Sequence, residues 1–132
     1  EPDRRAMHWC NEAGEQHTFS FADMKRESDR CASFFLSLGL RKGDKVMLIL
    51  KRRCEFWFFM LALHKLGAVA IPATHLLTAK DIIYRNNAAD IKMIVTVDDD
   101  AVCRQVEAAE KQAASAMLSS SHRCCLRTHQ RS

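Results

Sequence analysis

Glycine and proline are scarce in this sequence, with four glycines and two prolines in 132 residues. No two glycines lie closer than four positions, so the sequence lacks the Gly-x-Gly-x-x-Gly spacing that lets a backbone approach a pyrophosphate. The closest pair, Gly39 and Gly43, lies between a predicted helix and a predicted strand, whereas a dinucleotide loop lies between a strand and a helix. We interpret "GLRKG" as a structural turn, and the missing glycine-rich loop counts against a nucleotide-binding Rossmann protein.

Cysteine patterns typical of zinc sites are missing as well. The six cysteines form no Cys-x-x-Cys pair, and no cysteine and histidine have zinc-finger spacing. The first residues are charged and include no apolar stretch of the kind that marks a secretory signal. Free thiols without such a signal favour a reducing compartment, and we expect a cytoplasmic protein.

No apolar run is long enough to cross a bilayer. The longest, residues 56–63, has eight residues, whereas a membrane-spanning helix needs about 20. His64 and Lys65 interrupt the run before an apolar stretch resumes. We predict a buried helix followed by a buried strand, and no membrane span.

Charge of one sign does not dominate the main body of the chain. The net charge is +4, but residues 113–132 hold three arginines and no acidic residue. Subtracting these three from 20 basic residues leaves 17 against 16 acidic ones in residues 1–112, a net charge of +1. Nucleic-acid binding therefore loses most of its support. The Lys-Arg-Arg run at residues 51–53 could touch a phosphate, but we interpret it as a solvated strand-to-helix connection.

What the sequence does contain is a regular alternation of strand-like and helix-like patterns. Two short segments flank an Asn- and Gly-containing turn at residues 11–16 and predict a β-hairpin. Capping-box patterns at Ser20 and Thr78 predict helix starts, and Gly39 and Gly67 predict helix ends. The helix that starts at Thr78 is expected to end near Asn86. The predicted strands after the hairpin are "VMLIL", "AVAIP" and "KMIVTV". The order predicts an α/β fold with a mostly parallel sheet and flanking helices, preceded by a short hairpin.

The last twenty residues differ in character from the rest. Residues 113–132 show no periodicity, no acidic residue and five of the nine serines. We divide the chain into one partial domain, residues 1–112, and an irregular basic tail, residues 113–132. The tail is either disordered or, in our preferred hypothesis, translated out of frame after about residue 112, which reading the coding DNA in the other two frames would test.

Three groups of residues could carry chemistry, and each has a structural interpretation that we favour. Asp98, Asp99 and Asp100 follow a strand and could hold Mg²⁺, but acidic residues just before a helix also cap it. His64 and His75 bracket an apolar strand and have no recognisable Ser, Cys or carboxylate partner. The aromatic residues 56–59 occupy four successive helix positions, so they favour core and interface packing over a nucleic-acid platform.

The ordered blocks of the sequence resemble the AMP-forming acyl-CoA synthetases of the adenylate-forming superfamily. The resemblance covers roughly residues 16–100. "LKRRCEFWF" and "IPATHLLTAKDI" look most like the branch that acts on acetate and medium-chain acids. The matching residues are Thr18, Phe19, Gly39, Lys42, Gly43, Asp44 and Val46 in the first block, and Lys65, Gly67, Ala68, Val69 and Pro72 in the second.

This resemblance implies part of the family's large N-terminal domain and a two-step reaction. A carboxylate attacks the α-phosphate of ATP to give an acyl-adenylate, and the thiol of CoA then displaces AMP. The family places its phosphate loop, magnesium ligand, ribose-binding acid and catalytic lysine downstream of the matching blocks. The resemblance therefore assigns no catalytic, cofactor-binding or metal-binding residue to this chain.

We expect an N-terminal fragment of an AMP-forming acyl-CoA synthetase that is inactive alone. ATP, Mg²⁺ and CoA are implied for the full-length enzyme and are not expected to bind this fragment, which should self-associate through uncovered apolar surface. The alternative is a small α/β interaction or regulatory module without catalysis. Such a module would use the apolar surface of residues 56–73 to bind a partner such as a related full-length synthetase.

Overall fold

A β-hairpin comes first in the computed structural model, which describes residues 1–113 and 122–126. Strand β1 (Arg5–Cys10) pairs antiparallel with β2 (Gln16–Ser20), with Trp9 opposite His17. The Asn11 backbone N–H donates to the Glu15 carbonyl at 3.1 Å and closes the turn. The predicted hairpin is confirmed.

Helix α1 (Phe21–Ser37) begins directly after the hairpin at a capping box. The Asp23 N–H donates to Ser20 Oγ at 3.1 Å, and the Ser20 N–H donates to Asp23 Oδ2 at 2.9 Å. Two N–H groups that a helix start leaves unpaired are satisfied in this way. Gly39 follows the helix with a φ of 83°, as its predicted role in ending the helix requires.

The main sheet is parallel, and apolar strands form its interior. Its strands are β3 (Lys45–Ile49), β4 (Val69–Pro72), β5 (Ile91–Val97) and β6 (His122–Leu126). Their order in the sheet is β4-β3-β5-β6, and β3 lies between β4 and β5 with four of its five residues buried. This position suits a strand that is apolar on both faces. The predicted α/β fold is confirmed. The connecting helices are α2 (Glu55–Leu66), α3 (Ala79–Ala89) and α4 (Asp100–Ala113).

The helices pack in two pairs. Helix α1 packs on α2, and α3 packs on α4. The chain steps from β3 outward to β4 and then back past β3 to β5, so right-handed crossovers place α2 and α3 on opposite faces of the sheet. Within residues 1–113 no helix is long and apolar enough to cross a membrane.

Strand β4 corrects one expectation. The apolar stretch "AVAIP" predicts a second buried strand, but β4 is the edge strand of the sheet and Val69 is 45% exposed. An apolar run shows that a strand can be buried, but it does not show whether that strand lies at the centre or at the edge of the sheet. The strand's apolar character therefore does not imply an interior position.

Two segments extend beyond the sequence expectation. Helix α3 continues to Ala89, past the expected end near Asn86, and stops at Asp90, which takes the left-handed conformation that glycine more often supplies. Strand β6 pairs parallel with β5 inside the segment for which we predict an irregular tail. Residues 114–121 and 127–132 lie outside the described residues, so the prediction for the whole segment stays a prediction.

Candidate functional site

The carboxyl ends of β3, β4 and β5 meet at one edge of the sheet, which we call the carboxyl edge. Open α/β folds bind their ligands at this edge. Residues 51–53 follow β3, residues 73–75 follow β4, and residues 98–100 follow β5. The cationic run, His75 and the aspartate run of the sequence therefore all lie at this edge.

An ion pair ties two strand ends together at the carboxyl edge. Lys51 Nζ donates to Asp99 Oδ2 at 2.6 Å, and both side chains are about one-third exposed (37% and 34%). Lys51 also has a φ of 52°, an uncommon left-handed conformation for a residue with a side chain. Lys51, in the sharp turn after β3, is thus held by an ion pair with Asp99, which follows β5.

Asp99 also caps α4. Its Oδ1 accepts the Ala101 N–H at 3.0 Å and the Val102 N–H at 3.2 Å. The hydrogen bond from Lys51, followed by that from the Val102 N–H, lowers the pKa of Asp99 below its ordinary value. The capping interpretation of the aspartate run is confirmed at Asp99. Across the described residues, no three His, Cys, Asp or Glu side chains form a group that could hold a metal ion.

The run at residues 51–53 is a connection between β3 and α2, as predicted. The Arg52 guanidinium is 94% exposed and lies 3.9 Å from Glu12, which is 98% exposed, so this ion pair contributes little stability. The Arg52 carbonyl instead accepts a hydrogen bond from Trp9 Nε1 at 2.7 Å. This bond joins the hairpin to the main sheet across 43 positions of sequence.

The aromatic residues 56–59 divide between the core and the surface. Phe58 and Phe59 are buried, Phe58 against Phe19 at a centroid distance of 5.2 Å and Phe59 against Phe35 at 5.3 Å. Trp57 is 53% exposed. Core packing is confirmed for the two phenylalanines, and the four rings share no single face.

His64 and His75 lie at opposite edges of the sheet. His64 is in the last turn of α2, before β4, and His75 follows the carboxyl end of β4. Both rings are exposed, and neither makes a hydrogen bond or ion pair to another residue of the described part. The structure therefore does not bring the two histidines together.

Cys54, next to the carboxyl edge, is not an activated nucleophile. Its Sγ donates to Glu55 Oε2 at 3.3 Å. Burial, with the neighbouring Glu55 carboxylate, raises the pKa of the Cys54 thiol to about 12. The thiol stays protonated at neutral pH, whereas nucleophilic cysteines have a lowered pKa.

Gly39, Gly43 and Gly67 form turns at the amino edge of the sheet, away from these groups, whereas Gly14 lies in the turn of the hairpin. The Gly43 N–H donates to the Gly67 carbonyl at 2.9 Å, and both residues have positive φ (85° and 67°). The interpretation of "GLRKG" as a structural turn is confirmed. The loops after β3, β4 and β5 contain no glycine, so they lack the residue that glycine-rich phosphate loops require.

A polar cluster between α1 and α2 is not among the sequence predictions. Lys65 Nζ, in α2, donates to Ser28 Oγ and to Asp29 Oδ1 of α1, each at 2.6 Å. Hydrogen bonds from Lys25 and then Lys65 lower the pKa of Asp29 to about 2. The Lys25–Asp29 pair can be predicted from the sequence because its spacing of four residues brings two side chains together on a helix. Lys65 is 36 positions from Asp29, and no local pattern indicates that contact.

A scan against family models matches the description "AMP-binding enzyme" over residues 1–131. Among curated proteins, the chain is 37% identical over 108 residues to the mitochondrial acyl-coenzyme A synthetase ACSM5 of Mus musculus, covering 81% of this chain and 18% of that protein. It is 33% identical over 109 residues to the uncharacterized acyl–CoA ligase YtcI of Bacillus subtilis, covering 82% of this chain and 21% of that protein. The chain thus spans about a fifth of the length of these relatives.

Solved structures share the fold. An acyl-CoA synthetase of Brucella canis matches 100% of this chain and 22% of its own, with a TM-score of 0.78 and 19% identity. ATP-bound MatB of Rhodopseudomonas palustris matches 95% of this chain and 23% of its own, with a TM-score of 0.73 and 22% identity. At these identities the likeness concerns the arrangement of strands and helices.

Proposed function

Because this chain belongs to the AMP-binding enzyme family, we propose that it forms the N-terminal part of an AMP-forming acyl-CoA synthetase. The proposed reaction converts a carboxylate and ATP to an acyl-adenylate and pyrophosphate, after which the CoA thiol forms a thioester and releases AMP. The observation that carries the proposal is the family match over residues 1–131. The names of the curated relatives agree with it.

The described residues do not fit a site for ATP and Mg²⁺. The strand-to-helix loops have no glycine, and no three acidic, histidine or cysteine side chains form a group that could hold a metal within residues 1–113. Asp99, the best-placed carboxylate, is already engaged by Lys51 and by the start of α4. We therefore assign no chemical step to this segment, and its proposed contribution is the parallel sheet on which a larger active site is built.

A chimera tests whether residues 16–100 are a competent piece of such an enzyme. These residues would replace the matching segment of the murine relative, and adenylate formation would be measured by ATP–pyrophosphate exchange with short and medium fatty acids. We expect the chimera to retain exchange. A second chimera with Met47→Asp, which places a charge in the buried centre of β3, should lose it because an unpaired buried charge disrupts the core. Loss of exchange in a folded first chimera would contradict the proposal.

The same assay on the chain alone tests the proposed inactivity. Exchange should stay at the level of the blank, since the part of the chain that the structure describes supplies no fitting phosphate or metal site. Exchange well above the blank would show that the segment has its own active site. We also keep a reducing, cytoplasmic location as a proposal, and Cys10 and Cys54 are free thiols.

An interaction module without catalysis is the second candidate. The observation that favours it is the exposure of Trp57 (53%), Leu61 (37%) and Val69 (45%) within the apolar segment 56–73. Size-exclusion chromatography of the chain separates the two candidates. A stable monomer with a cooperative melt favours the module, and aggregation favours part of a larger domain.

A further inference from the structure

Both tryptophans of the chain line one surface groove beside the carboxyl edge. The groove encloses about 350 Å³, which is within the size range of small-molecule sites. Three consecutive cations and three aromatic rings therefore share one concavity. Its lining residues are Trp9, Lys51, Arg52, Arg53, Phe56 and Trp57, and we call it the tryptophan groove.

The cations of this groove are incompletely neutralised. Lys51 is paired with Asp99 at 2.6 Å, and Arg52 is only loosely paired with Glu12 at 3.9 Å. Within residues 1–113, the Arg53 guanidinium has no hydrogen bond or ion pair to a carboxylate. Arg53 is partly buried and lines the groove. The groove therefore favours an anion.

The aromatic rings differ in how much surface they leave for a ligand. Trp9 stacks on His17 at 5.6 Å and donates its indole N–H to the Arg52 carbonyl, so its position is fixed. Phe56 meets Trp57 edge to face at 5.3 Å. Trp57 remains 53% exposed. One large ring is thus held beside the cations with much of its surface free.

We propose that the tryptophan groove binds a planar aromatic anion. The aromatic body would pack on Trp57, and the carboxylate or phosphate would accept hydrogen bonds from the Arg53 guanidinium, whose planar set of donors suits both groups. The concave shape favours a small ligand over a membrane surface. This inference does not depend on the proposed synthetase activity, because the groove is formed entirely by residues of this chain.

Intrinsic fluorescence tests the proposal directly, because the only two tryptophans of the chain are in the groove. The full chain is titrated with phenylacetate, phenyl phosphate, benzyl alcohol, acetate and inorganic phosphate. At least one aromatic anion should change the emission saturably, with a Kd at least about fivefold lower than that of benzyl alcohol or of the matching non-aromatic ion. The tighter of the two aromatic anions identifies carboxylate or phosphate as the preferred group. The proposal fails if no aromatic anion saturates up to about 10 mM, or if benzyl alcohol binds equally well.

Variants locate the anion contact. Arg53→Gln should weaken binding by about five- to tenfold, and Arg53→Lys by less, since a lysine keeps the charge but not the planar donor set. Arg41→Gln is the matched control because it removes one charge from an exposed residue at the opposite edge of the sheet, and its Kd should equal that of the unmodified chain. Equal Kd values for Arg53→Gln and Arg41→Gln would overturn the proposal. Circular dichroism checks the fold of each variant. If Arg53→Gln unfolds, the proposal is tested by the ligand series and by the Kd of Arg53→Lys.

Discussion

Gly67 is the residue at which two turns of the fold meet. Its φ is 67°, its carbonyl accepts the Gly43 N–H, and an added Cβ would lie 3.0 Å from Lys42 Cγ. Gly67→Ala should lower the free energy of unfolding by about 1 kcal/mol or more, because the left-handed conformation strains a residue with a side chain. Urea unfolding measures this. Gly14→Ala is the matched control, since Gly14 has a φ of 83° and open space around it. A smaller loss for Gly67→Ala than for Gly14→Ala would contradict the expectation.

The two capping boxes also act through single side chains. Ser20→Ala and Thr78→Ala should each reduce stability by about 1 kcal/mol, since each removes the oxygen that accepts an N–H at a helix start. Thermal or urea unfolding measures the loss. Ser33→Ala, at an exposed site within α1, provides the comparison and should leave stability unchanged or slightly higher, because alanine is the better helix former. Equal effects at all three positions would mean that the caps contribute nothing measurable.

At the scale of whole elements, the contact of Lys65 with Ser28 and Asp29 links α1 to α2 and makes stability depend on pH. The folded-state pKa of Asp29 is about 2, below its ordinary value of 3.8. The carboxylate therefore stabilises the fold at pH above the ordinary value, and this contribution is lost as the pH falls towards 2. Asp29→Asn should make the urea midpoint of unfolding depend less on pH between about pH 4 and pH 2. An unchanged acid slope would show that the capping aspartates carry the whole effect.

Two lysine variants separate the link between helices from the pair within one helix. Lys25→Gln removes an exposed pair of α1, whereas Lys65→Gln removes the donor to Asp29 and to the buried Ser28. We expect Lys65→Gln to lower the urea midpoint more, because exposed pairs contribute little. Equal midpoints for the two variants would contradict a role in joining the helices.

The edge position of β4 predicts a pattern of amide exchange. The Val69 N–H donates to the Asp44 carbonyl at 2.8 Å, and Ala70, next along a parallel ladder, directs its N–H away from β3. The Ala70 amide should exchange with deuterium much faster than that of Val69, measured by NMR. Similar rates would show that another segment covers this edge.

Elements with local signals were predictable from the sequence, and those set by distant neighbours were not. Ser20 and Thr78 begin helices because their partners lie three residues away, and Gly67 ends α2 because a left-handed residue is needed there. The edge position of β4, the strand β6 and the contact of Lys65 with Asp29 depend on which elements lie side by side. At the candidate site, the helix cap made by Asp99 could be predicted from the sequence, but its ion pair with Lys51, 48 positions away, could not.

At the scale of the whole molecule, the exposed apolar residues predict self-association. Leu61 and Val69 are each more than one-third exposed, which favours burial against another surface. Sedimentation velocity should show species larger than a monomer as concentration rises, and Leu61→Lys should reduce them. Ala88→Lys adds the same charge at an exposed position of α3 and should leave association unchanged. A chain that stays monomeric throughout would favour the interaction module.

The interlocked turns at Gly43 and Gly67 also have a kinetic consequence. At one end of the β3–α2–β4 unit, the Gly43 N–H bonds the Gly67 carbonyl, and at the other the Ala73 N–H bonds the Leu48 carbonyl at 2.9 Å. Each bond joins residues about 25 positions apart, whereas the paired residues Lys45 and Ile91 of β3 and β5 are 46 positions apart, so closing the β3–α2–β4 unit costs less chain entropy. The unit can therefore form early in folding and act as a template on which β5 adds from farther along the chain.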